Sequence, residues 1–171
     1  MSDQMNYIAE RRDRGFSLIE ILIVLLVGMV LTAMAIPQVR SGLYMYRLNS
    51  AVAMSKWAIQ STRFQALEKG YPYQVVFSAA NLNYQIQNEV PPATTFSNVG
   101  SAVPISSWPT MTVSQDTTIT FQPNGFVTSA PSGTFSIVYQ SVTATITVSN
   151  YGNVSTSCVT SGGSTVINPT C

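Results

Sequence analysis

The sequence has no histidine, only two cysteines, Cys158 and Cys171, and few charges: 8 Lys+Arg and 7 Asp+Glu among 171 residues, 9% in all. Without histidine the chain lacks the side chain that titrates near neutral pH and the commonest transition-metal ligand, and two cysteines cannot complete a four-ligand zinc site. Abundant Ser and Thr with no base beside them supply no activated nucleophile. Hydrolase triads and zinc chemistry are disfavoured, an enzyme is not expected, and no cofactor is implied. The charged share lies far below the roughly 25% usual in soluble domains. A formal net charge of +1 leaves no global field to draw in nucleic acid or an anionic membrane. After Lys69 there is no basic residue at all, only the acids Glu89 and Asp116, in a stretch dominated by Ser, Thr, Asn and Gln.

What the chain does have is a long apolar run. Residues 16–36, FSLIEILIVLLVGMVLTAMAI, contain three markedly polar positions, Ser17, Glu20 and Thr32. As a helix rising about 1.5 Å per residue, the run matches the roughly 30 Å hydrocarbon core of a bilayer. It exceeds the roughly 7–15 residue apolar core of a cleaved secretory signal, and no small-residue cleavage site closes it. A retained membrane helix is therefore expected. Arg11, Arg12 and Arg14 precede the run and Arg40 and Arg47 follow it, so the positive-inside rule leans only slightly toward a cytoplasmic N-terminus. Glu20 is the informative position. A carboxylate inside such a run costs on the order of 2–3 kcal/mol, which points to a functional role with a cationic partner; snorkelling to the nearby interface is the alternative.

The string Arg14-Gly15-Phe16-Ser17-Leu18-Ile19-Glu20, followed by the apolar run and Pro37, resembles the class III signal of type IV pilins and type II secretion pseudopilins. The resemblance implies that a prepilin peptidase cuts between Gly15 and Phe16 on the cytoplasmic side and methylates the new amine of Phe16. Gly15, with no Cβ, suits close approach of an enzyme to the backbone. The liberated α-amino group, with a reference pKa of about 7.7–8.0, is cationic at neutral pH. In the family picture Glu20 of an incoming subunit pairs with that amine on its neighbour. Pro37 is expected to bend the helix or unwind the turn before it, and Gly28 permits close helix contact.

Residues 38–69 keep a helical period: Leu48, Val52, Ser55, Ile59, Thr62 and Ala66 recur at spacings of three or four, with Ala51 and Ala58 beside them. An amphipathic helix with a small-residue face is expected to lie on a sheet. Gly70 provides the stop, with Lys69 near the negative helix end. Arg40 with Arg47, and Lys56 with Arg63, share helix faces and read as solvated cations, too dispersed for a phosphate-binding patch.

Beyond Gly70 the period changes to two. Strands are expected over 73–77, 82–87, 118–122, 135–139 and 142–149. Residues 88–117 carry no such pattern and read as a long loop. Strand–turn–strand patterns around Pro123-Asn124-Gly125 and around Asn150-Tyr151-Gly152, following a long helix, resemble the globular domain of GspH/FimT-type minor pseudopilins. Cys158 and Cys171 enclose a Ser/Thr/Gly-rich tail. In an oxidising compartment a bridge between them would contribute about 3 kcal/mol, with free thiols or a redox pair as alternatives. The arrangement resembles the C-terminal disulfide loop of type IV pilins.

The expected fold is α+β and type IV pilin-like, a long N-terminal helix packed on an antiparallel sheet. Its parts are a leader (1–15), a transmembrane and filament-core helix (16–37), an amphipathic helix (38–70) and a β-rich domain (71–171). The expected function is that of a structural minor pilin or pseudopilin of a type IV pilus or a type II secretion pseudopilus. Its partners would be the prepilin peptidase, other filament subunits, an inner-membrane assembly platform and inner-membrane lipid. The globular part would lie in the periplasm on a single-pass inner-membrane anchor and later in an extracellular filament. The alternative, a FimT-like DNA-binding pilin for transformation, calls for basic residues in the globular domain, and the absence of any beyond Lys69 counts against DNA.

Overall fold

The computed structural model describes residues 16–106, 108, 110–128, 133–140, 142–160 and 165–166. One helix, α1, runs from Leu18 to Lys69. The chain divides after Arg40 into two compact units. In the first, residues 18–36 are apolar all round and none is buried within the chain. The second, from Ser41 onward, contains the rest of α1 and every strand.

The helix ends where its chemistry changes. The Gly70 N–H donates to the Ala66 carbonyl at 3.1 Å, and Gly70 turns left-handed with φ 75°, the usual glycine stop. Leu48, Ala51, Val52, Ser55, Ala58, Ile59, Thr62 and Ala66 are all buried, which is the face expected from their spacing. Two hydroxyls on that face need nothing from the sheets. Ser55 Oγ donates to the Ala51 carbonyl at 3.0 Å and Thr62 Oγ1 to the Ala58 carbonyl at 2.7 Å, so both are satisfied by their own helix.

Among the described residues the strands form two five-stranded antiparallel sheets. In the first, β1 (Tyr73–Ser78) is central. It pairs with β2 (Asn83–Asn88) from Tyr73↔Asn88 to Ser78↔Asn83 and with β6 (Thr117–Phe121) from Tyr73↔Phe121 to Phe77↔Thr117. The short β3 (Ser97–Asn98) and β4 (Val103–Pro104) both edge β2. The second sheet runs β10 (Thr165–Val166), β9 (Val154–Thr160), β8 (Val142–Val148), β7 (Thr134–Tyr139), β5 (Met111–Val113). Alternate residues of both sheets point inward. Val75, Phe77, Ile119 and Phe121 from one meet Phe135, Ile137, Ala144, Ile146 and Val148 from the other, together with the helix face, in one hydrophobic cluster.

The structure departs from expectation in three places. The single sheet is two, and the region read as a loop holds β3, β4 and β5. These strands are two or three residues long, shorter than the window over which alternation is detectable. In addition β2 begins at Asn83 rather than Leu82, because Leu82 sits in the turn with φ 49°.

The two glycine turns have the same construction. Gly125 N–H donates to the Gln122 carbonyl and Gln122 N–H to the Phe126 carbonyl; Gly152 N–H donates to the Ser149 carbonyl and Ser149 N–H to the Asn153 carbonyl, all at 2.8–2.9 Å. Both glycines have positive φ, 78° and 76°. This is the three-residue hairpin loop with glycine in the left-handed position. The Val127 N–H donates to the Asn150 carbonyl at 2.9 Å and ties the two loops together.

Candidate functional site at the start of the helix

The Ser17 carbonyl accepts from the backbone N–H groups of Glu20 at 3.0 Å and Ile21 at 3.2 Å. Ser17 thus occupies the capping position, where a short polar side chain is favoured, and Glu20 falls in the first turn of α1. A carboxylate there faces the positive end of the helix dipole, which offsets part of its cost in an apolar run. The other polar residue within 18–36 is already satisfied: Thr32 Oγ1 donates to the carbonyls of Gly28 at 2.7 Å and Met29 at 3.0 Å. Glu20 is exposed, and the ion pair found among the described residues, Lys69 with Glu68 at 3.3 Å, does not involve it. Its carboxylate is therefore the polar group of the span without a partner among the described residues.

Phe16, just ahead, is 77% exposed, four residues from Glu20. Gly15 and the rest of the leader lie outside the described residues, and so does Cys171. Cys158 is buried on β9, and among the described residues no cysteine is a free thiol. The helix is assigned without interruption through Pro37.

Arg40 is exposed as expected, but Arg47, Lys56 and Arg63 are half-buried and do not form the solvated faces expected of them. An Arg47 N–H donates to the Tyr139 hydroxyl at 2.9 Å, and its guanidinium lies 3.9 Å from the centre of the Trp108 ring. Lys56 Nζ donates to Thr156 Oγ1 at 3.2 Å. Long side chains lay their stems over apolar surface and spend their charge on neutral oxygens or a ring face. Arg63 differs. It lies against both glycine turns, and its Nε is buried with no hydrogen-bond partner among the described residues. It borders a groove of about 310 Å³ lined also by Gln60, Phe64 and Leu67. Sequence reasoning missed this arrangement. The two glycine turns were legible, but nothing in either one signals that both rest on the same arginine.

Among the described residues no group of three or more His, Cys, Asp or Glu gathers to hold a metal. Burial pushes the Tyr84 phenol above its usual value. Tyr71 is raised as well, chiefly through its hydroxyl contact with Tyr73 at 3.3 Å.

Residues 11–36 match the family described as Prokaryotic N-terminal methylation motif, and residues 56–152 match that described as Type II transport protein GspH. No curated protein matches the chain. Among solved structures, the type IV minor pilin FimU of Pseudomonas aeruginosa PAO1 superposes with a TM-score of 0.51 at 15% identity, covering 63% of this chain and 86% of that one. The minor pseudopilin EpsH from the Type 2 Secretion System of Vibrio cholerae gives 0.49 at 9% identity, covering 63% and 95%. At these identities the FimU likeness speaks for the fold.

Proposed function

We infer the function from one premise: the chain belongs to the type II transport protein GspH family, behind a prokaryotic N-terminal methylation motif. It is a minor pilin or pseudopilin, a structural subunit that is anchored by an apolar N-terminal helix, carries a globular β domain and packs with other pilin subunits in a filament. The finer reading is that a prepilin peptidase cleaves between Gly15 and Phe16 and methylates the Phe16 amine. The mature helix then holds the subunit in the inner membrane, with the β domain in the periplasm, until an assembly platform moves it into the filament.

Glu20 carries this reading: a carboxylate in the first turn of a fully exposed 19-residue apolar span, with no ion-pair partner among the described residues. Among the described residues no cation reaches it, and a cationic amine on the neighbour's Phe16 would supply one. Pairing inside a bundle of apolar helices offsets the carboxylate's cost in lipid and fixes the axial register of addition. A bend at Pro37 would follow from its missing N–H. A bridge from Cys158 to Cys171 would fasten the tail, and it is supported by the burial of Cys158 and by the absence of free thiols among the described residues.

The test is mass spectrometry of membrane-extracted chain together with a Glu20 series. Processed chain should begin at N-methylated Phe16. E20A should insert and be processed yet enter filaments at least about tenfold less well, as expected when a buried charge pair loses one member. An intact leader, or normal incorporation of E20A, would remove the reading.

A further inference from the structure

We propose that the groove beside Arg63 is a contact between two copies of this chain, in which the segment Glu89-Val90-Pro91 of one copy enters against Arg63 of the other. The proposal rests on the assembly reading above for its setting.

Of the described cations in the unit from Ser41 onward, Arg47 and Lys56 reach hydroxyls and Lys69 pairs with Glu68. Among the described residues Arg63 has neither a hydrogen bond nor an ion pair, and its Nε is buried. A buried N–H without an acceptor is unfavourable until one is supplied. Apolar surface surrounds it. Phe64 and Leu67 are exposed on the helix, and Phe126 and Tyr151, carried by the two glycine turns, face each other at 5.6 Å with both rings exposed. Such a patch rimmed by polar residues marks an interaction surface, and an arginine amid aromatics is the usual composition of its centre.

The occupant follows from charge complementarity within the same chain. Among the acids of that unit, Glu68 is paired with Lys69, and Asp116 Oδ1 accepts from the Ala79 N–H at 2.7 Å. The Glu89 carboxylate has no partner among the described residues. Glu89 follows the last residue of β2, with its backbone N–H donating to the Pro72 carbonyl at 3.0 Å, and leads into a tight turn closed by the Ala93 N–H on the Val90 carbonyl at 2.9 Å. Val90, Pro91 and Pro92 are exposed at its tip. One copy thus offers a lone guanidinium amid aromatic side chains, and the next offers a lone carboxylate beside an apolar tip. Arginine and carboxylate favour two parallel hydrogen bonds, and the apolar flanks exclude water from them.

The experiment uses full-length chain in membranes, with a benzophenone amino acid at position 64 and the N-terminus read in parallel by mass spectrometry. Irradiation should give an adduct of twice the chain mass, with peptide mapping joining position 64 to residues 89–92. E89R, which leaves the packing of Arg63 untouched, should lower the adduct at least about tenfold, and R63E combined with E89R should restore it to within about threefold, the signature of a direct charge pair. An adduct with a different polypeptide, a crosslink mapping elsewhere, an unaffected E89R or no adduct would each overturn the proposal. Processed chain lacking the adduct overturns this contact alone; the adduct on unprocessed chain supports the contact and overturns the processing step instead.

Discussion

Arg63 packs directly on Gly152: a Cβ added to that glycine would stand 2.7 Å from Arg63 Nε and 2.9 Å from its Cδ. The same glycine has φ 76°, a conformation that L side chains adopt at a cost. Two independent constraints, the backbone and the neighbour, therefore converge on one position. Gly125 is held less tightly, with its hypothetical Cβ 3.2 Å from Leu67 Cδ2 and 3.3 Å from Arg63 Nε.

G152A is expected to destabilise the β domain by about 2–4 kcal/mol, the sum of the left-handed penalty and overpacking. In an R63A background the loss should fall to about 1–2 kcal/mol, because only the backbone term remains. Thermal melts of the four chains in detergent, analysed as a double-mutant cycle, measure the difference. Equal losses in both backgrounds would contradict the packing argument.

A58L should cost about 1–3 kcal/mol, since Ala58 is fully buried where the helix meets the core and an added isobutyl group has nowhere to go. Its neighbour Trp57 is 57% exposed, and W57A should change stability by no more than about 0.5 kcal/mol. Chemical denaturation resolves the two; a severe W57A would mean that the face assignment is reversed.

The raised phenol of Tyr84 makes alkaline stability a readout of its burial. Its folded pKa lies above the unfolded value of about 10, so the protonated form is favoured in the fold. That contribution is complete below about pH 10 and is lost as the pH climbs through the folded value. Melting temperature should therefore drop above about pH 10, and Y84F should flatten the drop in part, leaving the share that Tyr71 supplies through Tyr73. A pH profile identical in Y84F and the parent would refute this.

If Cys158 and Cys171 are joined, C171S should lower stability by about 3 kcal/mol under oxidising conditions and make no difference in reductant. C158S should lose more, because a hydroxyl would replace a buried sulfur. Melts with and without dithiothreitol separate these cases, and a C171S chain as stable as the parent in both would exclude the bridge.

The parts that periodicity controls were legible from the sequence. The buried face from Leu48 to Ala66, the stop at Gly70 and the long strands around Val75, Ile119, Ile137 and Ile146 all follow from spacing and turn chemistry. The split into two sheets was not, because pairing partners are set by contacts distant in sequence: Tyr73 faces Phe121, and no local pattern encodes that. The settings of Arg47 over Trp108 and of Arg63 under two turns escaped for the same reason. At the helix start, the motif marks Glu20 and Phe16 because it is read from order along the chain, and the roles proposed for them rest on that order. The leader and Cys171 lie outside the described residues.

The route of the backbone through the two sheets has a kinetic consequence. Strands β7, β8 and β9 follow one another in sequence and in space, so each hairpin needs only a short closure, a microsecond event. The first sheet is different, since β6 must cross the whole stretch after β2 to reach β1. Until residues past Thr117 have emerged from the ribosome, the β1–β2 hairpin keeps one flank of Tyr73 through Phe77 unpaired. During biogenesis that flank is the place where a holdase chaperone would be most useful and where premature self-association would begin.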